Sequence, residues 1–549
     1  LDVSIMHLRA TSHQYKPLCF MAALMLALWS LALCACSTVT IYEEEPETPV
    51  GQIIPSKVAI VHTAGMAGSF DSSETSLGIA AITQLSHDLE DDGYDVVLLD
   101  SGNTLANPGG LDLSDAEVPV AYLNAAGLDA TLASAGELSL GQSLLDKRLS
   151  QADFFLLSAN LVDGTTGETT LIATKTVKLR DNRQVGIFAL TAPEDLGHVG
   201  PYEARGLKAD ADALVPVAQK CVDELRGQGC LLVVCLSDLG RSTAEGSLGP
   251  QELAQGVSGI DFVLDVSGSQ WTQTQATDAA GEETLVVETP EGLASASVVT
   301  WERGTSAAKS VDAGSYDGLD EQVAALVTQT DIETDAQLKA ALATSGFDIP
   351  SKASDTGESA FGDLVADAVL WTAQSSSDGS AAAAIVDTGS LASGLAKGNV
   401  TRADALGCCP HASTRLYTVT ASGKDLQDAL SAELAGPQVS PVQIAGMSIE
   451  LRAGKDDEGP AEARIKAIGG KDLSPTKTYT VAITSKALFG ETALAKLAAD
   501  DLSNVACLDT SAGTALCDYL SHKCQPTVPT SYQKPEGRIA ARKGEENAG

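Results

Sequence analysis

The chain has 549 residues, with 35 Lys and Arg against 73 Asp and Glu, a formal net charge of −38 at pH 7 and a hydrophobic fraction of 44%. Single cores rarely grow past about 250 to 300 residues, so this length implies two or three domains, and the apolar content excludes wholesale disorder. The charge excludes nucleic acid and anionic headgroups as main partners and favours cationic ones.

Pro17 to Cys36 is an almost uncharged run preceded by Arg9 and Lys16, the pattern of a secretory signal. An uncleaved anchor is the alternative, because the run approaches the roughly 20 residues that a bilayer needs. Leu33-Cys34-Ala35-Cys36 resembles a bacterial lipobox, which implies cleavage before Cys36 and attachment of that cysteine to membrane lipid. On this reading residues 1–36 are an N-terminal extension and lipoprotein signal, and residues 37–54, with Glu43-Glu44-Glu45-Pro46-Glu47, are an acidic tether. The folded part is then extracytoplasmic, lipid-anchored to the bacterial membrane or cell envelope. Some of the later cysteines are expected to pair in such a compartment. Cys507 with Cys517 or Cys524 is the preferred disulfide and Cys221 with Cys230 a second candidate, although spacing alone does not decide the pairing.

From Lys57 to His62 the sequence predicts a buried strand. Leu77, Ile79, Ile82, Leu85 and Leu89 then have the three-and-four spacing of a helix stripe, ended by Asp92-Gly93. A strand over Asp95 to Leu99, a helix near Ala116 to Ala126, a strand at Ala130 to Leu132 and a helix near Leu138 to Lys147 follow. Strands at Phe154 to Leu157, Val185 to Leu190, Leu231 to Leu236 and Phe262 to Leu264 alternate with an extended segment near Thr170 to Lys178 and a helix over Ala211 to Leu225. This alternation predicts an α/β layered domain over 55–312. Asp317 to Ala343 reads as one or two amphipathic helices, within a linker of 313–351. A second, smaller α/β (or α+β) domain is expected over 352–524, with helices at Phe361 to Trp371 and Gly423 to Leu434 and strands at Ala383 to Val386, Leu416 to Thr420 and Thr478 to Ile483. Pro526, Pro529, Pro535 and a charged end suggest a loose tail at 525–549.

Ordered remnants along 57–500 carry a resemblance. They include Val61-His62-Thr63, Leu99-Asp100-Ser101-Gly102-Asn103, Leu123-Asn124-Ala125-Ala126-Gly127-Leu128-Asp129-Ala130, Ser158-Ala159-Asn160, Leu236-Ser237-Asp238-Leu239-Gly240 and Gly259-Ile260-Asp261-Phe262. Together these resemble the secreted 5'-nucleotidase family. The resemblance implies a four-layer α/β/β/α metallophosphoesterase-like sandwich followed by the family's C-terminal substrate-binding domain. It further implies hydrolysis of nucleotides by two metal ions about 3.5 to 4 Å apart, which polarise phosphate oxygens and activate a water.

The ligands for that chemistry are missing at the matching positions. The family's first loop, His-Thr-Asn-Asp-x-His-Gly, offers an aspartate and a histidine where this chain has Gly65 and Ala67. Asn103 stands where a bridging aspartate is expected, and Ala135 and Gly136 stand where Gly-Asn-His-Glu supplies an asparagine and a catalytic histidine. Asp238 replaces an imidazole, and Ser267 and Ser269 replace the final histidine pair. Glu137 survives as a helix-start carboxylate, and His62 marks the motif without being a ligand in the family. Asp100, Asp238 and Asp265 form the one alternative set for a divalent cation at low occupancy; otherwise no cofactor is expected. The competing reading has Asp100 capping a loop and the other two facing solvent.

In the C-terminal part, Asp387 opens the run that matches Asn-Ser-Gly-Gly-x-Arg, with Ala392 for the arginine. His411 and Phe489 are the candidates to stack on a ring, against the plainer readings of a loop histidine and a core phenylalanine. The sequence therefore favours a non-catalytic surface lipoprotein on a 5'-nucleotidase scaffold that binds an unknown small molecule or protein. The alternatives are a hydrolase with a remodelled site and a structural envelope protein.

Overall fold

The computed structural model describes residues 57–105, 115–241, 247–376, 379–409, 414–434, 442–453 and 460–542. The signal run, Cys36, the acidic tether and His411 lie outside these residues. All described residues belong to one unit, Pro55–Gly549.

Two six-stranded sheets build the first half. In chain order the strands are β1 (Lys57–Thr63), β2 (Tyr94–Asp100), β3 (Ala130–Leu132), β4 (Phe155–Leu157), β5 (Thr174–Lys178), β6 (Gln184–Leu190), β7 (Leu232–Ser237), β8 (Phe262–Ser267), β9 (Thr272–Thr277), β10 (Glu283–Pro290), β11 (Ser295–Glu302) and β12 (Thr305–Asp312). One sheet has the order β12-β11-β1-β2-β3-β4 and the other β9-β10-β8-β7-β6-β5. The central strands pair in parallel, β1 with β2 and β6 with β7, while the hairpin strands at the edges are antiparallel.

Side-chain alternation along each strand explains the layering. Val58, Ile60, Val97 and Leu99 point between the sheets and meet Val185, Ile187, Leu232, Val234 and Phe262. Ala59, Val61 and Leu98 point the other way, onto Ile79, Ile82 and Leu85 of α1 (Gly78–Asp91) and Val120 and Leu123 of α2 (Glu117–Ala126). Beyond α3 (Ala135–Leu138) and α4 (Gln142–Leu149), helix α5 (Leu214–Gly227) covers the second sheet, with Leu214, Ala218, Val222 and Leu225 on Val233, Cys235 and Val263. Buried on both faces, these strands read as continuous apolar runs. The α/β/β/α sandwich is as expected.

Several expectations need correction. The helix expected over Leu138 to Lys147 is two helices, broken at Gly141, whose φ of 76° a glycine reaches without strain. Of the one or two helices expected in the linker there is one, Glu321–Lys339, in agreement with that reading and capped by Asp320, whose carboxylate accepts from the amides of Gln322 and Val323. The second domain starts before residue 352, because strand Ala341–Ser345 already pairs with Gly398–Thr401 inside it.

That domain centres on a five-stranded sheet in the order Val442–Ala445, Ala381–Asp387, Thr478–Thr484, Arg415–Ser422 and Val505–Ser511. Ala384 and Val386 face helices Ala360–Ser375 and Ala512–Lys523, and Ala383 and Ile385 face the opposite core. The expected loose tail is structured through residue 542. Ile539–Arg542 pairs in parallel with Met447–Ala453, the Glu358 carboxylate accepts from the amides of Gly537, Arg538 and Ile539, and the Arg538 guanidinium forks onto Asp367 at 2.9 and 2.6 Å.

The preferred disulfide does not form. Cys221, Cys230, Cys507, Cys517 and Cys524 are all free thiols. Cys507 is half-buried and packs against the core on one face of the central sheet, whereas Cys517 and Cys524 are buried in the core on the other.

Candidate functional site

The strand ends that would carry chemistry are closed by their own backbone. The loops after β1 and β2 continue side by side: Ser101 N–H donates to Thr63 O at 3.0 Å, Gly65 N–H to Gly102 O at 3.0 Å and Ala67 N–H to Asn103 O at 3.1 Å. Gly65 (φ 55°) and Asn103 (φ 59°) take the left-handed conformation that glycine and asparagine adopt most readily. Gly65 is buried and Ala67 and Asn103 are half-buried, so of these paired positions only Asn103 offers a polar side chain.

Asp100, at the end of β2, is fully buried. One carboxylate oxygen accepts from the Gly102 amide at 2.8 Å and the hydroxyls of Thr104 and Thr131 at 2.6 and 3.0 Å, and the other from the Thr63 hydroxyl at 2.8 Å. Burial pushes its pKa up to about 6 despite these bonds. Glu137 is also fully buried. It accepts from the amides of Asn103, Thr104, Leu105 and Ser134 and from the Ser134 hydroxyl, at 2.7 to 3.1 Å. The expected helix-start carboxylate is thus a capping-box member that also holds the loop after β2. Ala135, beside it, gives its amide to Asp195 at 2.8 Å, and Gly136 is buried.

On the second sheet, Asp265 accepts from the Ser237 hydroxyl and from the amides of Leu239, Gly240 and Val266, the last three at 3.2, 2.8 and 2.7 Å. Its pKa is likewise raised to about 6 by burial. Asp238 accepts from the Ala192 amide at 2.6 Å. Neither faces solvent, which corrects that expectation: both are fully buried. Ser267 is buried at the end of β8 and Ser269 is exposed two residues on.

These residues do not fit a dimetal centre. Among the described residues no three His, Cys, Asp or Glu side chains are placed to hold a metal ion. Among the described residues Asp100, Asp238 and Asp265 do not form such a group: both oxygens of Asp100 and of Asp265, and one oxygen of Asp238, accept from neighbouring amides and hydroxyls, whereas a calcium site needs about six to eight oxygens on one point.

A further polar device occupies the seam between the sheets. Trp271 donates from Nε1 to Ser297 Oγ at 2.8 Å, Ser297 Oγ lies 2.6 Å from Thr289 Oγ1, and Thr289 Oγ1 lies 2.7 Å from His62 Nδ1. His62 Nε2 lies 2.8 Å from Ser101 Oγ, which donates to Leu264 O at 3.1 Å. Because Ser101 gives its one proton to the carbonyl, it receives from Nε2–H, and Nδ1 accepts from Thr289. Every proton runs in one direction, and burial lowers the His62 pKa to about 3, so the ring is neutral. Although a serine and histidine at this distance could form a nucleophile and base, both are fully buried and no carboxylate orients the ring.

In the second domain Asp387 ends strand Ala381–Asp387 and accepts from the hydroxyls of Ser390 at 2.5 Å and Thr484 at 2.9 Å. The exposed Lys486 ammonium lies 3.9 Å from its other oxygen. Phe489 is half-buried and meets Tyr417 edge to face, with centroids 5.1 Å apart. Tyr417, Arg415 and Glu203 escaped the sequence reading; a strand tyrosine and a loop glutamate carry no local signal, and only the fold joins them.

The chain is thus a two-domain α/β protein whose first domain is a four-layer sandwich. Residues 335–498 match the family model of the 5'-nucleotidase C-terminal domain, so the second domain is of that family, as the resemblance implied. No curated protein matches the chain. Among solved structures it is similar to a 5'-nucleotidase precursor from Thermus thermophilus (18% identity, TM-score 0.47, covering 89% of this chain and 100% of that one). It is also similar to the NAD nucleotidase of Haemophilus influenzae (15%, TM-score 0.49, 89% and 100%) and to a Thermus thermophilus sulfate thiohydrolase in complex with glycerol (17%, TM-score 0.45, 89% and 97%). The functional reading rests on this chain's own residues.

Proposed function

We propose that this chain is a binding protein built on a 5'-nucleotidase scaffold, with no hydrolytic centre of its own. The observation that carries the reading is the fate of three carboxylates, Asp100 and Asp265 on the strands and Glu137 at the start of α3: all are fully buried, and each accepts four or more hydrogen bonds from the protein. A carboxylate so engaged has exchanged metal coordination for loop closure. Gly65, Ala67, Ala135 and Gly136 add no donor atoms from their side chains.

On this reading the chain works at a bacterial envelope, held by a lipid on Cys36 and lifted by the acidic segment 37–54, as the lipobox-like run Leu33-Cys34-Ala35-Cys36 supports. A charge of −38 favours a cationic small molecule or protein as partner. The test is a thermal-shift screen of the metal-free mature chain against nucleotides, sugars, amines and basic peptides. A saturable rise in Tm with at least one ligand supports a binding protein, and no shift with any of them supports a structural envelope component.

A further inference from the structure

We propose that the loop 199–206 of the first domain occupies, as a built-in ligand, a recess on the second domain whose chemistry suits a planar aromatic anion. Tyr417, on strand Arg415–Ser422, is 2% exposed and forms the platform. Phe489 abuts it edge to face, and Tyr202 from the loop packs against it at 5.3 Å between centroids and 60°. The next loop residue, Glu203, accepts the Tyr417 hydroxyl hydrogen bond at 2.6 Å and lies 3.7 Å from the Arg415 guanidinium. Its side chain is only 5% exposed. Adjacent loop residues therefore deliver a ring to a ring platform and an anion to a cation.

The surroundings are shaped for this insertion. A Cβ at Gly200 would collide with Glu203 Oε2, although Gly200 has no left-handed φ that would itself demand glycine. A Cβ at Gly141 would stand 3.1 Å from Arg415 Nη1 and 3.5 Å from Glu203 Cγ. Arg205 lies over the Tyr202 ring at 4.5 Å, and the Ala204 amide bonds to Gly200 O at 2.8 Å, closing the turn. Burying a carboxylate is costly unless it is paired, and Arg415 with the Tyr417 hydroxyl supplies the pairing. An external ligand with the same two features, a flat ring and a negative group on a short arm, would satisfy the same groups once the loop withdrew. The inference holds whether or not the chain hydrolyses phosphate esters.

The test compares the full chain with the variant Tyr202→Ala/Glu203→Ala, using indole-3-acetate as probe and indole as the ring-only control, by calorimetry in metal-free buffer. The double variant, folded by circular dichroism, should bind indole-3-acetate at least tenfold more tightly than the parent and more tightly than it binds indole. Adding Arg415→Ala should abolish that gain. A folded double variant that binds no better than the parent, or a gain that survives Arg415→Ala, overturns the proposal. Gly200→Ala, which displaces Glu203 while leaving the second domain intact, serves if the double variant does not fold. It should raise hydrogen exchange at 199–206 and bind the probe at least tenfold more tightly, and unchanged exchange or binding overturns the proposal equally.

Discussion

His62 Nε2 stands 2.8 Å from Ser101 Oγ in a fully buried seam, and this contact ties β1 to the loop after β2 while Ser101 reaches on to Leu264 in the opposite sheet. Two facing sheets of apolar side chains can slide unless something fixes their offset, and a chain of polar groups with one proton direction does so. Thr289→Val keeps the shape but removes the donor to His62 Nδ1. An unsatisfied buried acceptor costs about 1 to 3 kcal/mol, so urea denaturation at pH 7 should show a loss of that size.

The buried ionisable groups make stability depend on pH in opposing senses. The His62 pKa, lowered from 6.5 to about 3, leaves its contribution whole above pH 6.5 and removes it as pH falls, at about 1.4 kcal/mol per unit. Asp100, raised from 3.8 to about 6, does the reverse: its ionisation costs the folded state as pH rises through that window. Asp100→Asn abolishes that cost. The stability of the variant relative to the parent should therefore improve by about 3 kcal/mol from pH 4 to pH 7, whereas a constant difference would mean that Asp100 does not titrate there.

Asp238 is the carboxylate that the resemblance matches to a family imidazole, and one of its oxygens accepts from the Ala192 amide. Asp238→Ala should cost about 1 to 3 kcal/mol in denaturation and leave bound metal unchanged. Loss of metal without loss of stability would reverse that assignment.

Much of the fold could be read in advance because its signals are periodic. The stripe Ile79, Ile82, Leu85 and the runs Val58 to Val61 and Leu232 to Leu236 are core-facing patterns that the structure places as expected. The strand Thr272–Thr277 was missed because it is exposed at an edge and built from Thr and Gln, so no apolar alternation marks it. The tail was misread because its prolines signal a break, whereas its anchorage comes from Glu358 and Asp367, far away in sequence. Likewise, the sequence located Asp100 and Asp265 but not their hydroxyl and amide partners, which only the loops bring together.

The tail gives a direct check of that correction. Arg538 pairs with Asp367 and lies 3.6 Å from the buried Asp363, so Arg538→Ala strands carboxylates in a partly dry site. A loss of about 3 kcal/mol and new protease cleavage within 525–542 are expected. Cleavage of the parent at the same sites and rate would show that the segment is not anchored.

The central claim is that the strand ends bind no catalytic metal. The most direct measurement incubates the purified mature chain with manganese, zinc or calcium, removes free metal, and records both bound metal and phosphate release from nucleotides and bis(4-nitrophenyl) phosphate. Metal well below one ion per chain, with release at the rate of the buffer blank, is the predicted result. Stoichiometric metal with metal-dependent release that Asp238→Ala abolishes would contradict it.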